Sequence, residues 1–364
     1  MTDRLRAGIV GAGFMGEVHA RGVRAAGGVV ARVAASTPER SAAAATRLGA
    51  EGAAESAGEL VTADDVDVVH VCTPNALHAP VAEQVLAAGK PVVCEKPLAT
   101  TVEDARRLTA QAEKLSLVAT VPFVYRFYPT VREARARIAA GEAGPLRLLH
   151  GTYLQDWLSK PLDSNWRVDP ELGGASRAFG DIGVHWCDLM EFVTGHHITR
   201  LSARMVTVFD RRPAESGSDA VGTEDAATVL FESDQGACGA VVISQVSPGR
   251  KNRLWFSFDG AEACFSFDQE NPDSLWIGGR ASNQILMRGA EGMSAAAARY
   301  SVLPAGHPQG YQDCFNAFVA DTYTAIAGGQ PDGLPKFVDG LRAAMLTQAV
   351  VDSGTSRAWV EVPE

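Results

Sequence analysis

The chain lacks the features that would mark a membrane, nucleic-acid-binding or disulfide-stapled protein. No apolar run approaches the roughly 20 residues that span a bilayer, so no membrane partner is expected. The opening, MTDRLRAGIVGAG, has no long apolar core ahead of a cleavage site, so no secretory leader is expected either. Basic residues are scattered, and 33 Lys plus Arg stand against 43 Asp plus Glu, a formal net charge of -10. A phosphate backbone would meet net repulsion, which argues against a nucleic-acid partner. The six cysteines (Cys72, Cys94, Cys187, Cys238, Cys264, Cys314) form no CxxC pair and no metal-like cluster. Several lie in apolar runs such as VVHVC and PVVCE, where a thiol packs as a small hydrophobe. A reducing, cytoplasmic compartment and no metal are therefore expected.

What is present fits an ordinary folded protein. Hydrophobic residues make up 46% and charged residues 21% of the 364, too apolar a mixture for disorder. That length favours two domains over one core.

The first third alternates β-branched runs with Ala-rich helical patterns. LRAGIV, VVARVAA, DVDVVHVC, KPVVCE and LVATVP read as strands, with helices between them. In STPERSAAAATRL, Thr37 can cap a helix and Pro38 sits at its favoured first position. This alternation predicts a parallel sheet with helices on both faces over residues 1–122. From 123 to 364 the pattern becomes α+β. ITRLSARMVTVF, DAATVLFES, GACGAVVISQV, NRLWFSF and EACFSFD read as strands of a mainly antiparallel sheet. Helical patterns near YQDCFNAFVADTYTAIAGG and KFVDGLRAAMLTQAVVDSG are placed in this second domain. Asp210–Glu224, rich in Gly, Ser and Pro, reads as the most flexible loop.

GAGFMG places Gly11, Gly13 and Gly16 at GxGxxG spacing directly after the first strand, with Phe14 and Met15 between the last two. Such a turn allows close approach of a pyrophosphate, whose charge then lies at a helix N-terminus. A GxGxxG alone is a weak signal, but its position inside a βαβ series points to dinucleotide binding. The second strand ends in AASTPER, with no Asp or Glu to hold a ribose 2′-hydroxyl. Ser36, Thr37 and Arg40 could bind a 2′-phosphate instead, which favours NADP, with NAD the alternative.

GIVGAGFMG, CTPNALH, CEKPLA and GDIGVHWCDL, in that order and ahead of a β-rich second half, resemble the Gfo/Idh/MocA oxidoreductases. The resemblance covers essentially the whole chain. It implies that Lys96 of EKP contacts the substrate hydroxyl, with Glu95 and Pro97 shaping the turn, which is often cis in the family. Thr73, Pro74, Asn75 and His78 would line the cofactor together with Glu95 and Lys96. Arg126 is a cofactor or substrate contact by position, and Tyr125 stands where relatives often carry Asn. His185 is implied as general acid/base and Asp181 as a substrate ligand. GDIGVHWCDLMEF reads as a helix on which Asp181, His185 and Asp188 share a face, and Asp188 is expected to hold structure.

The loop Leu154–Gly174 carries Asp156, Trp157, Asn165, Trp166 and Arg167, a mixture of flat apolar faces and hydrogen-bonding groups suited to sugar rings. His307 and Tyr311 are weaker candidates of the same kind. Together these residues imply hydride transfer between a nicotinamide and a secondary alcohol or ketone of a sugar, cyclitol or glycoside. A family glycosidase, a 3-keto-sugar reductase and a non-catalytic cofactor-binding regulator are the alternatives. A homodimer or homotetramer is expected from the resemblance alone.

Overall fold

The computed structural model describes residues 4–213 and 220–363. Positions 214–219, inside the loop read as most flexible, lie outside the described residues. The chain divides into two compact units: Met1–Val124 with Tyr311–Ala344, and Tyr125–Gly310 with Met345–Glu364.

The first unit opens with β1 (Arg6–Val10), α1 (Phe14–Ala25), β2 (Val29–Ala34), α2 (Pro38–Leu48), β3 (Gly52–Ala53) and α3 (Ala57–Thr62). It continues with β4 (Val68–Val71), α4 (His78–Ala87), β5 (Val92–Cys94), α5 (Val102–Leu115) and β6 (Ala119–Thr120). The strands pair in parallel in the order β3-β2-β1-β4-β5-β6. β4 is buried at every position, as a strand covered on both faces must be. The order reverses between β1 and β4, and such a switch point opens a ligand crevice at the carboxyl ends of the strands. Thr37, Ser56 and Thr101 cap α2, α3 and α5 through their side chains.

The second unit runs through α6 (Pro129–Ala139), β7 (Leu146–Leu154), α7 (Pro170–Gly173), α8 (Val184–Thr194), β8 (Ile198–Val206) and β9 (Ala226–Ser233). There follow β10 (Cys238–Ser244), β11 (Arg253–Gly260), β12 (Cys264–Asp268), β13 (Ser274–Gly278), β14 (Asn283–Met287) and α9 (Ala295–Ala298). After α10 (Tyr311–Ile326) and α11 (Phe337–Ser356), β15 (Val360–Glu361) completes a sheet in the order β14-β13-β12-β11-β7-β10-β9-β8-β15. All its pairings are antiparallel except β10 with β7. Alternate residues of one face, among them Phe231, Phe256, Phe258, Phe265 and Phe267, are buried. Trp186 of α8 packs there and donates Nε1–H to the Trp255 carbonyl at 3.0 Å. Gly151 permits this approach, since a Cβ at that position would stand 2.3 Å from the indole nitrogen.

One boundary differs from expectation. Tyr311–Ala344 was assigned to the second domain but packs in the first unit. The reason lies in α10, whose Phe315, Phe318, Val319, Thr322 and Tyr323 are all buried. Val319 fits against Gly22 of α1, where a Cβ would come within 2.9 Å of it. Further on, Thr109 of α5 donates its hydroxyl to the Phe337 carbonyl at 3.2 Å.

Candidate cofactor and active site

The Gly-rich turn is shaped as a cradle. Gly11 has φ +101°, and a Cβ there would lie 2.4 Å from the Cys72 carbonyl oxygen, so only glycine fits. Gly16 closes the helix against the turn, its Cβ position being 2.4 Å from the Gly11 carbonyl. Gly13, the N-cap of α1, faces open space, with nothing within 4 Å of a Cβ. Phe14 is exposed and Met15 partly so at the start of the helix.

At the end of β2 lies a cavity of about 320 Å³ whose polar lining comes from Ser36, Arg40 and Arg47, with no carboxylate among the lining residues. Arg40 donates to the Ser36 hydroxyl at 3.0 Å. Thr37 is otherwise occupied, accepting the Arg40 amide at 3.3 Å as the α2 cap. Arg47 was not singled out from the sequence. It stands seven residues after Arg40, near two helical turns along α2, and bonds to Glu17 and the Ala12 carbonyl.

The other two turns are tied together. His78 places Nδ1 2.7 Å from the Pro97 carbonyl and Nε2 2.8 Å from the Thr73 carbonyl. Burial outweighs the pull of these carbonyls and holds the His78 pKa below its ordinary value. The Lys96–Pro97 peptide is cis. Asn75 is buried, and the buried Thr73 hydroxyl has no hydrogen-bond partner among the described residues. An open glycine position, a hydroxyl awaiting a partner and an acid-free strand end together fit a dinucleotide. Glu95 departs from its expected role as a cofactor contact. Its carboxylate is buried and turned inward, with Oε1 3.1 Å from His19 Nε2 and Oε2 accepting the Lys96 amide at 3.2 Å.

In the second unit, a five-residue π turn over Phe179–Gly183 precedes α8, so the expected single regular helix is broken at Asp181. Three groups expected on one face then engage different partners. Asp181 accepts Gln245 Nε2 at 2.9 Å and lies 3.3 Å from Arg167 Nε. Asp188 holds structure as expected, in a two-point pair with Arg126 whose Nε–Oδ2 distance is 2.9 Å. Both of those side chains are buried, and Asp188 holds the Arg126 guanidinium. His185 is buried edge-on to Tyr125, with ring centroids 5.1 Å apart, and lies 6.4 Å from the Tyr153 ring.

Tyr125 is likewise buried, and its hydroxyl meets Tyr153 and Asn252 Nδ2. Asn252 Oδ1 accepts from Tyr153 at 2.8 Å and from Gln155 at 2.7 Å, and Trp157 Nε1 donates to Gln155 Oε1 at 2.8 Å. Asp156 pairs with Lys251 at 2.6 Å and accepts the Gly249 amide, holding the loop to the β10–β11 connection. Arg167 lies over the Trp166 ring at 4.3 Å, which brings Trp166, Arg167 and Asp181 together. Tyr311 belongs to the first unit and packs on Phe315, and the His307 carbonyl accepts from Arg288.

Gln155, Tyr153, Asn252 and Gln245 were missed from the sequence. The available signal was TYLQ, where alternate residues of a strand share a face. Asn252 becomes their neighbour only through β11–β7 pairing, in which Arg253 stands opposite Leu154.

Residues 5–123 match the family model for the oxidoreductase family with an NAD-binding Rossmann fold, and residues 131–266 match the GFO/IDH/MocA C-terminal domain. The chain belongs to the GFO/IDH/MocA oxidoreductase family. Its relatives include levoglucosan dehydrogenase of Pseudarthrobacter phenanthrenivorans, 31% identical over 100% of this chain and 99% of that protein. A solved oxidoreductase domain protein from Kribbella flavida is 34% identical and superposes with TM-score 0.92 over the full length of both chains. Levoglucosan dehydrogenase in complex with NADH and L-sorbose superposes with TM-score 0.93 at 28% identity, again over the full length of both. Among the described residues of this family member, no group of His, Cys, Asp and Glu could hold a metal ion, and no helix is long and apolar enough to cross a membrane.

Proposed function

We propose that this oxidoreductase interconverts a secondary alcohol and a ketone on the ring of a sugar or cyclitol. The observation that carries the reading is the grouping of Asp181, Arg167 and Trp166 beside the aromatic and amide set around His185. A flat aromatic face, a guanidinium and a carboxylate can sort ring hydroxyls. When bound, the nicotinamide supplies the hydride acceptor. Gly11, Gly13 and Gly16 would admit the pyrophosphate, and the Thr73 hydroxyl would donate to or accept from the dinucleotide. In the proposed reaction the Lys96 ammonium stabilises the substrate oxygen as it becomes an alkoxide, and His185 takes the hydroxyl proton. Asp181, held by Gln245 and Arg167, fixes a neighbouring hydroxyl.

Full-length similarity to levoglucosan dehydrogenase supports a pyranose or anhydro-pyranose ring as the first substrates to test. A panel of levoglucosan, L-sorbose, myo-inositol, 1,5-anhydro-fructose and simple glycosides, assayed in both directions, separates oxidation, keto-sugar reduction and glycoside cleavage. Cofactor binding without turnover on any of them supports the regulator instead.

For the cofactor we infer a preference for NADP, supported by the Ser36, Arg40 and Arg47 lining. NAD is the second reading, favoured by relatives solved with NADH and NAD+. For self-association we assign the face of the nine-stranded sheet that carries exposed Leu230, Val242, Trp276 and Ile285. Light scattering on a variant with charged residues at Leu230 and Ile285 tests that assignment.

A further inference from the structure

Behind the Lys96 turn, within the first unit, four buried polar groups from four parts of the fold touch in a row. Tyr323 of α10 has its hydroxyl 3.1 Å from His70 Nε2 on β4. His70 Nδ1 is 2.8 Å from His19 Nδ1 on α1. His19 Nε2 is 3.1 Å from Glu95 Oε1, just beyond β5, and Glu95 Oε2 receives the Lys96 amide at 3.2 Å. His19 and His70 are fully buried, and Glu95 and Tyr323 nearly so.

With both rings neutral, the row has one polarity. Two imidazoles meeting Nδ1 to Nδ1 share one proton between them. An ionised Glu95 only accepts, so His19 keeps its proton on Nε2 and presents a bare Nδ1. His70 must then donate from Nδ1, which leaves its Nε2 to accept from the Tyr323 hydroxyl. In this arrangement all three contacts are satisfied with both histidines neutral. In the reverse arrangement His70 Nε2–H donates to the Tyr323 oxygen, and the tyrosine proton has no acceptor among the described residues. The surroundings agree with the first arrangement. Burial and the neighbouring His19 push the His70 pKa well down, burial pushes that of Tyr323 up, and Glu95 stays below the ordinary carboxylate range. For Glu95, the hydrogen bond from His19 and the charge of Lys96 act against a large burial penalty. Cys72 and Cys94, flanking the same turn, are held protonated by burial.

We propose that Tyr323, His70 and His19 form a one-way hydrogen-bond relay that keeps Glu95 ionised and thereby positions the Lys96 turn. They are positioning residues, and the inference rests on the reading of Lys96 as the group that stabilises the substrate oxygen. An ionised Glu95 fixes the Lys96 amide. Tyr323→Phe removes only the hydroxyl. Both relay polarities then leave one ring nitrogen of His70 unsatisfied, so the preference for ionised Glu95 is lost.

Two measurements on the full chain test the proposal. The first is nitrogen-15 NMR of the histidine rings, which should show His70 as the Nδ1–H tautomer and His19 as the Nε2–H tautomer. His70 observed as the Nε2–H tautomer would overturn the relay. The second is the pH profile of kcat/KM for wild type, Tyr323→Phe and His70→Gln, with reduced-cofactor affinity measured beside it. Loss of one satisfied buried hydrogen bond should raise the acid limb by about half a pH unit or more, with cofactor affinity held within about twofold. Profiles that superimpose on wild type would overturn the influence on Lys96. Lys96→Met separates the two readings. If it keeps wild-type turnover, the catalytic role of Lys96 fails and the tautomers alone judge the relay's polarity. If it is inactive while Tyr323→Phe is unchanged, the relay fails alone.

Discussion

Lys96 and His185 carry separate parts of the proposed chemistry, and single substitutions should separate them. Lys96→Met should lower kcat/KM by about 10²–10³-fold, as expected for losing one donor to a developing oxyanion. Binding of the reduced cofactor, followed by fluorescence, should hold within a few-fold. His185→Asn should cost about 10²–10⁴-fold, the range of a positioned acid/base. Turnover unchanged in either variant removes that residue from the mechanism. Ser36→Asp places a carboxylate in the cavity at the end of β2, so NADP affinity should fall by about tenfold or more while NAD affinity holds or improves. An unchanged ratio of the two contradicts the phosphate reading.

These residues were legible because each sits in a short contiguous motif. The buried partners of Glu95, Arg126 and Tyr125 were not legible because they are remote in sequence. His19 lies 76 positions from Glu95, Asp188 lies 62 from Arg126, and Asn252 lies 127 from Tyr125. A residue type at a motif position announces a charge or a ring. Whether that group faces a ligand or a buried partner is settled by pairing that no local pattern carries.

At the scale of elements, caps and buried pairs set the local energetics. Thr37→Ala removes the α2 cap and should cost about 1 kcal/mol in chemical denaturation. Asp188→Ala strands the Arg126 guanidinium in a buried site and should cost about 3–5 kcal/mol. A loss below that of Thr37→Ala would mean that Arg126 finds another partner. Most elements of both units were readable from period and punctuation, down to Thr37 and Pro38 at the start of α2.

The exceptions have physical causes. α3 has only six residues, although its Ser56 and Glu59 form an S-x-x-E signature whose hydroxyl caps the Glu59 amide. β13 and β14, SLWIG and NQILM, are five-residue strands at the sheet edge, too short to show a clear alternation. The π turn before α8 preserves apolar spacing closely enough to pass for regular helix, yet it re-aims Asp181 toward Arg167 and Gln245.

For the whole molecule, the noncontiguous first unit was the feature least visible in the sequence. Helical periodicity showed that α10 has an apolar face but could not say which sheet receives it; the fit of Val319 against Gly22 decides that. The same unit should be sensitive to acid. His70 and His78 are buried with pKa values below the ordinary value, mainly through burial. Between those depressed values and about 6.5 the unfolded chain binds more protons than the native one, so stability rises with pH through that window. The urea midpoint should therefore be lower near pH 5.5 than near pH 7.5, with a slope up to about 1.4 kcal/mol per pH unit for each histidine. A flat profile would mean that both rings titrate in the native state as they do in the unfolded chain.

The proposed activity is tested most directly by mixing the purified chain with NAD+ or NADP+ and the sugar and cyclitol panel, then following formation of the reduced nicotinamide. Reduction with at least one ring substrate, lost in Lys96→Met and His185→Asn, is the expected result. Cofactor binding with no hydride transfer in either direction, across the whole panel, would contradict it.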